Sequence, residues 1–92
     1  MRSREMYDHY RRLIEELSNN SGVGEKWFDE LKAITHQFEL DAEHLAQSSA
    51  RRLCDELCDQ FEQEAYVADS ENRRRVLMAA TKLLELQCPA GN

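Results

Sequence analysis

The sequence predicts an all-α protein, a helical bundle of three helices with a long central helix. Three observations lead to this prediction. Apolar residues recur at spacings of three and four through most of the chain, which is the period of an amphipathic helix. Only three glycines and one proline interrupt its 92 residues, and these two residue types are the strongest helix breakers. No stretch has the pattern of a strand.

The first predicted helix covers about residues 3–18. Met6, Tyr10 and Leu13 follow one another at spacings of four and three, so they form one stripe of an amphipathic helix. Residues 18–24 are rich in serine, asparagine and glycine, which favour turns. We expect a short loop there, after which the next helix folds back antiparallel.

The second predicted helix is long, about residues 25–66, because neither glycine nor proline interrupts this range. Its first half carries an apolar stripe between Trp27 and Phe38. In the second half, Leu53 and Leu57 belong to a series that advances by four residues, so the stripe turns around the helix axis. The two halves should therefore bury different faces, and the small residues around Ser48–Ser49 favour a kink there.

The third predicted helix covers about residues 70–87. Asp69 or Ser70 is suited to the N-cap, because its side-chain oxygen can accept a bond from a first-turn N–H group. An apolar stripe follows from Val76 to Leu84, and Pro89 ends the helix. The three helices together predict a single helical domain that spans residues 1–92.

Two short helices beside one long helix would leave the aromatic residues partly exposed, and exposed apolar surface usually marks an interface. The long helix can break near Ser48–Ser49, and the chain then closes as a compact four-helix bundle. It can also stay continuous and pair antiparallel with a second copy, which we favour because no breaker residue is present. A third arrangement overlaps the short helices in a compact three-helix bundle. It resembles a spectrin-type repeat in periodicity and in the tryptophan early in a helix, a resemblance that implies an outline of the fold alone.

Charge and composition narrow the classes of function. The net charge is −6, whereas a general nucleic-acid binder needs a basic face that neutralises phosphates. No apolar run is long enough to span a bilayer, and the first twelve residues lack the apolar core of a signal peptide. We therefore expect neither a nucleic-acid nor a membrane partner. Three cysteines without secretory features predict a reducing setting, the cytoplasm or the nucleus.

Two of the cysteines form the most conspicuous chemical motif. Cys54 and Cys58 lie four residues apart, on one face of a helix, so both sulfurs can approach one metal ion. They are weak metal candidates, because a zinc site needs two more ligands and only His44 and Cys88 are within conceivable reach. We expect both cysteines to fill the apolar core instead. The sequence predicts no metal and no other cofactor.

Catalysis is not expected. The nearest approach to a nucleophile beside a base is Ser48–Ser49 with His44, on a helix that offers no oxyanion hole. A more informative feature is the acidic run from Asp55 to Glu71, which contains neither lysine nor arginine. It predicts a solvated face or a docking surface for a basic partner. The residues expected on this acidic docking face are Asp55, Glu56, Asp59 and Glu62.

The sequence therefore predicts a non-enzymatic module for protein–protein interaction or oligomerisation, an adaptor that forms a homodimer or binds another helical protein. Two alternatives stay open. One is a small acidic inhibitor, of the viral or mobile-element type, that blocks a basic site on its target. The other is a metal-responsive helical switch that uses the cysteines. Buried aromatic and aliphatic residues dominate interface energies, and the interface candidates are Trp27, Phe28, Leu31, Phe38, Leu57 and Phe61.

Overall fold

The computed structural model describes residues 2–20 and 26–87, and these residues form four α-helices joined without any strand. The all-α prediction is confirmed, and the number of helices differs by one. The boundaries of the first and last helices agree with the sequence prediction to within two residues. The helices are α1 (Ser3–Asn20), α2 (Lys26–Ala42), α3 (Gln47–Tyr66) and α4 (Glu71–Gln87).

The predicted continuous helix over residues 25–66 is wrong, because the chain breaks at residues 43–46. The last turn of α2 tightens: the backbone N–H of Leu45 donates to the Ala42 carbonyl, three residues back, at 3.0 Å. Ala46 then adopts an extended conformation, with φ −59° and ψ 145°, and α3 begins at the next residue. The kink predicted at Ser48–Ser49 is displaced as well, since these serines lie in the first turn of α3.

This break needs no glycine or proline, because each half of the region packs its own apolar stripe. Ala42, the last residue of α2, and Leu45, within the break, both pack against the core. The observed fold is therefore the compact four-helix bundle, one of the three arrangements the sequence left open. The premise of the antiparallel dimer, an uninterrupted central helix, no longer holds, and the homodimer itself stays a prediction.

Helix α3 supplies the largest share of the core. Its residues Leu53, Leu57, Phe61 and Ala65 recur every four positions and are all buried. Helix α4 covers this stripe, α1 packs against both α3 and α4, and α2 packs against α4 and α1. Burying a leucine or phenylalanine side chain contributes about 1.5–3 kcal/mol, so this stripe dominates the stability of the fold. The core residues from the other helices are Met6, Tyr10, Ile14, Leu31, Phe38, Leu77, Ala80 and Leu84.

Polar contacts join α1 to α2 and cap the start of α4. Tyr10 of α1 donates its hydroxyl to Asp41, near the end of α2, and its ring meets Phe38 edge-on at 5.2 Å. Burial of the hydroxyl and the Asp41 carboxylate raise the pKa of Tyr10 well above its ordinary value, so the hydroxyl stays a donor. At the start of α4, the Ser70 hydroxyl accepts a bond from the Arg73 N–H at 3.3 Å. Ser70, one of the two residues that the sequence predicted for this position, is thus the N-cap of α4.

Candidate interaction surface

The six interface candidates separate into a buried group and a surface group. Trp27 is half-buried and packs against the core. Phe28 is 38% exposed, and its ring meets Trp27 edge-on at 5.7 Å. The other four contribute to folding inside one chain and present no surface to a partner. These four buried residues are Leu31, Phe38, Leu57 and Phe61.

The acidic docking residues also separate, because they lie on two sides of α3. Asp55, Asp59 and Glu62 are exposed and spaced by four and three residues, so they share one outward stripe of the helix. Glu56 lies a quarter-turn away and lines a cleft between α3 and α1 instead. Three of the four predicted residues therefore form one acidic stripe.

Three exposed apolar side chains lie at the end of this acidic stripe. Tyr66, the last residue of α3, is 88% exposed, and Val67 beside it is 73% exposed. Met78 of α4 is 44% exposed and lines one shallow depression together with Tyr66, Glu62 and Arg74. A second depression on the other side of Tyr66 is lined by Asp59, Glu62 and Val67. Apolar residues of this size that are exposed together typically mark an interaction site.

We name the combined surface the α3/α4 face. It has an acidic part and an apolar part, contributed by two helices that pack against each other. The acidic part includes a carboxylate of α4, Glu85, whose charge acts on the same buried thiol as the carboxylates of α3. The α3/α4 face consists of Asp55, Asp59, Glu62, Tyr66, Val67, Met78 and Glu85.

The charge of the α3/α4 face is largely uncompensated. Arg51 pairs with Asp55 at 3.5 Å. Asp59, Glu62 and Glu85 have no lysine or arginine within ion-pair distance among the residues that the structure describes. The buried thiol of Cys58 reports the resulting field. Its pKa is raised to about 12, first by burial and then by the carboxylates of Glu85, Glu62, Asp55 and Asp59.

The turn between α3 and α4 holds the apolar part of the face in place. The Val67 N–H donates to the Gln63 carbonyl at 3.3 Å and so closes the end of α3. Arg74 donates to the carbonyls of Ala65 and Ala68, at 3.2 and 3.3 Å, and also pairs with Glu71. Since these bonds tie the turn to α4, Tyr66 and Met78 are presented from a fixed backbone.

The cysteines occupy the interior, between α3 and α4. The Cys54 sulfur lies 3.2 Å from the Leu84 carbonyl oxygen, and the Cys58 sulfur lies 3.8 Å from that of Thr81. Cys54 is disulfide-bonded and Cys58 is a free thiol, so no bond joins the two. The described residues contain no group of three or more histidine, cysteine or carboxylate side chains placed to hold a metal ion. Cys88, the further ligand considered from the sequence, lies outside them.

The disulfide at Cys54 was not predicted from the sequence. Disulfides persist mainly in oxidising compartments, whereas the three cysteines had suggested a reducing one. The cytoplasmic or nuclear location therefore stays a prediction. Within residues 2–20 and 26–87, no helix combines the length and the apolar character that crossing a bilayer requires.

A second charged cluster joins α1, α3 and α4 away from the α3/α4 face. Arg73 of α4 donates to Glu64 at 3.0 Å and to Ser18 and Asn19 at the end of α1. Burial, and after it hydrogen bonding to the neighbouring Glu64 carboxyl group and its negative charge, raise the pKa of Glu15 of α1 to about 7.

The pKa of Glu64 is shifted in the opposite direction. Its burial alone would raise it, but the bonds from Glu15 and Gln60 and the charges of Arg11 and Arg73 lower it below the ordinary value. The two carboxyl groups thus share one proton, and the cluster holds three helices together at one end of the bundle. Its groups are satisfied within the chain, which indicates a structural role.

Sequence reasoning missed the apolar part of the α3/α4 face. Tyr66 and Val67 are too short a pair to predict a strand, and Met78 lies outside the predicted stripe of the last helix. A signal was present all the same: Asp55, Asp59, Glu62 and Tyr66 follow one another at spacings of four, three and four. That periodicity places an aromatic residue at the end of an acidic stripe.

Comparisons of the chain with protein-family models, with curated proteins and with solved structures gave no match.

Proposed function

We propose that this protein is a non-enzymatic interaction module that binds a basic amphipathic helix of another protein on the α3/α4 face. The observation that carries the proposal is the juxtaposition of Tyr66, Val67 and Met78, all exposed, with the carboxylates of Asp59 and Glu62, which have no lysine or arginine within ion-pair distance among the described residues. Apolar anchors give affinity, and the surrounding charges give orientation and partner choice.

The occupant follows from the pattern of the face. An amphipathic helix presents apolar residues at spacings of three and four, and we expect two of them to occupy the depressions on the two sides of Tyr66. Lysine or arginine residues beside that stripe would meet Asp59 and Glu62. A second copy of this chain would bring the same carboxylates against one another, so charge complementarity favours a basic partner over self-association.

The acidic-inhibitor hypothesis uses the same face and the same chemistry. It differs in what binding does to the partner, because an inhibitor covers the basic site through which its target acts. An adaptor leaves that site free. A metal-responsive switch finds less support, since Cys54 is disulfide-bonded and Cys58 is buried beneath the carboxylates.

A direct test uses a fluorescently labelled eighteen-residue helical peptide of leucine and lysine, with leucine at spacings of three and four. Its binding to the protein is measured by fluorescence anisotropy at several salt concentrations. We expect Tyr66→Ala to weaken binding by roughly tenfold or more, the usual loss when an aromatic anchor is removed. Leu86→Ala is the matched control, because Leu86 is 82% exposed on another side of α4.

The electrostatic part of the face is tested in the same assay. We expect Asp59→Asn with Glu62→Gln to weaken binding and to reduce its salt dependence. Glu16→Gln with Glu30→Gln changes the net charge equally at exposed positions on α1 and α2. Equal losses in both double variants would show attraction by net charge alone, and unchanged binding of Tyr66→Ala would remove the α3/α4 face as the site.

A further inference from the structure

A cleft lies between the first turns of α1 and α3, lined by residues that do not belong to the α3/α4 face. The two helices start at the same end of the bundle, so residues of both first turns meet across the cleft, which has a volume of about 220 Å³. Helix α1 contributes Ser3, Arg4 and Tyr7, and α3 contributes Ser49, Arg52 and Glu56. We name it the N-terminal cleft.

The N-terminal cleft gathers hydrogen-bond donors in a chain that is acidic elsewhere. Arg4 and Arg52 have no carboxylate within ion-pair distance in the described parts of the chain, whereas Arg11, Arg73 and Arg74 are all paired. Three hydroxyl groups, from two serines and a tyrosine, line the same space. Guanidinium groups with hydroxyls suit a tetrahedral oxyanion, which accepts several bonds at once.

Two further features favour negative charge at this place. The Arg4 guanidinium stacks over the Tyr7 ring at 5.5 Å, which restrains its position beside the cleft. The N-cap of α3, Ala46, has no side-chain oxygen to bond the first N–H groups of the helix. The partial positive charge at the start of α3 therefore adds to the field of the two arginines.

We propose that the N-terminal cleft binds a phosphate-type dianion, through Arg4 and Arg52 with the hydroxyls of Ser3 and Ser49. The site is distinct from the α3/α4 face and has the opposite charge preference. Among the described residues, Glu56 is the one carboxylate that lines the cleft, and it opposes an anion. Removing this charge should therefore tighten binding, a direction that an accidental surface contact does not predict.

The test is a titration of the whole protein with inorganic phosphate at constant ionic strength, followed by amide chemical shifts in NMR. We expect saturable shifts centred on Ser3, Ser49 and Arg52, with a dissociation constant on the order of 1 mM. A parallel titration with phosphoserine asks whether the site accepts a monoester. Tighter binding of phosphoserine identifies a phosphorylated compound or side chain as the ligand class, and equal binding identifies free phosphate.

Two double variants separate a built site from attraction by charge. Arg4→Gln with Arg52→Gln should weaken phosphate binding at least tenfold. Arg12→Gln with Arg75→Gln removes the same charge from exposed positions away from the cleft and should leave the affinity within twofold. Glu56→Gln should bind phosphate more tightly than the unaltered chain. All of the altered residues are exposed, so the amide spectrum should confirm an unchanged fold.

Shifts that do not saturate, or that spread over every basic residue of the chain, would overturn the proposal. Equal affinity in the two double variants would do the same. Either result would identify an adventitious ion only, held by the general field of surface arginines.

Discussion

At the scale of single residues, the carboxyl pair of Glu15 and Glu64 makes the stability of the fold depend on pH. The pKa of Glu15 is raised to about 7, so the folded chain keeps a proton that the unfolded chain loses near 4.5. Between these two pH values the folded state binds more protons than the unfolded state. The free energy of unfolding therefore falls as the pH rises from about 4.5 to 7.

Glu64 acts in the opposite sense. Its pKa in the folded chain is lowered, so its contribution is present above the unfolded pKa and is lost as the pH falls through the folded value. Together the two shifts place the greatest contribution of the pair in mildly acid solution. Above about pH 7 the pair weakens because Glu15 and Glu64 then both carry charge, and the charges of Arg11 and Arg73 offset part of their repulsion.

We predict that Glu15→Gln flattens this pH dependence. The glutamine amide can donate to Glu64 as the protonated acid does, but it does not titrate. Between pH 4.5 and 7 the unaltered chain should lose about 1–2 kcal/mol relative to the variant. One pKa unit corresponds to about 1.4 kcal/mol, and solvent screening of the partly exposed Glu15 reduces the total.

Urea unfolding at a series of pH values measures this difference. Glu16→Gln is the control, because Glu16 is an exposed neighbour on α1. Its curve should run parallel to that of the unaltered chain. If the curve of Glu15→Gln ran parallel as well, the shared proton would have no influence on folding.

At the scale of helices, the beginning of α3 at Gln47 can be tested by the sign of a stability change. Ala46 is exposed, extended in conformation and unable to cap the helix with its side chain. A serine there can accept a bond from a first-turn N–H group, so Ala46→Ser should raise the free energy of unfolding by about 0.5–1 kcal/mol. In an uninterrupted helix the same change would lower it by roughly 0.5 kcal/mol.

Ala33→Ser supplies the matched control for this experiment. Ala33 is exposed in the middle of α2, where serine is a poorer helix former than alanine. This variant should lose roughly 0.5 kcal/mol. Losses of equal size in both variants would show that residues 43–46 are helical after all.

The same break shows where sequence reasoning reaches its limit. The periodicity of the apolar residues, together with Ser70 as the N-cap of α4, predicts that α1 and α4 are helices and predicts most of their boundaries. The break at residues 43–46 does not, because it uses neither glycine nor proline and results from how Ala42 and Leu45 pack against the core. The apolar stripe that turns around the helix axis did indicate that the two halves bury different faces. In the folded chain, packing of these two faces ends α2 and begins α3 as a separate helix.

The candidate site was predictable to a similar extent. Three of the four acidic residues share one face, as their spacing requires. Glu56 belongs to the N-terminal cleft, which only the packing of α1 beside α3 defines. The exposed and the buried aromatic residues could not be separated without the fold. Phe61 and Tyr66 both lie on α3, and their separation of five positions places them on different faces of the helix.

At the scale of the whole molecule, four helices of similar length give a short and compact shape. The radius of gyration of the Cα atoms is 12.6 Å, and the principal extents are 38 × 23 × 21 Å. A compact domain of 92 residues has a radius of gyration of roughly 12 Å. A continuous helix of about forty residues would alone be about 60 Å long. The core is therefore closed within one chain, with Phe38 and Phe61 both covered.

We expect light scattering at low salt to give the mass of one chain, and small-angle scattering to give a radius of gyration of roughly 12–14 Å. The reason is electrostatic as well as geometric. Two α3/α4 faces would meet with like charges opposed, and low salt leaves this repulsion unscreened. The mass of two chains with an elongated profile would instead support the homodimer predicted from the sequence, and with it a continuous central helix. A compact pair that forms only at high salt would show that Tyr66, Val67 and Met78 associate once their neighbouring carboxylates are screened, and Tyr66→Ala would then restore the single chain.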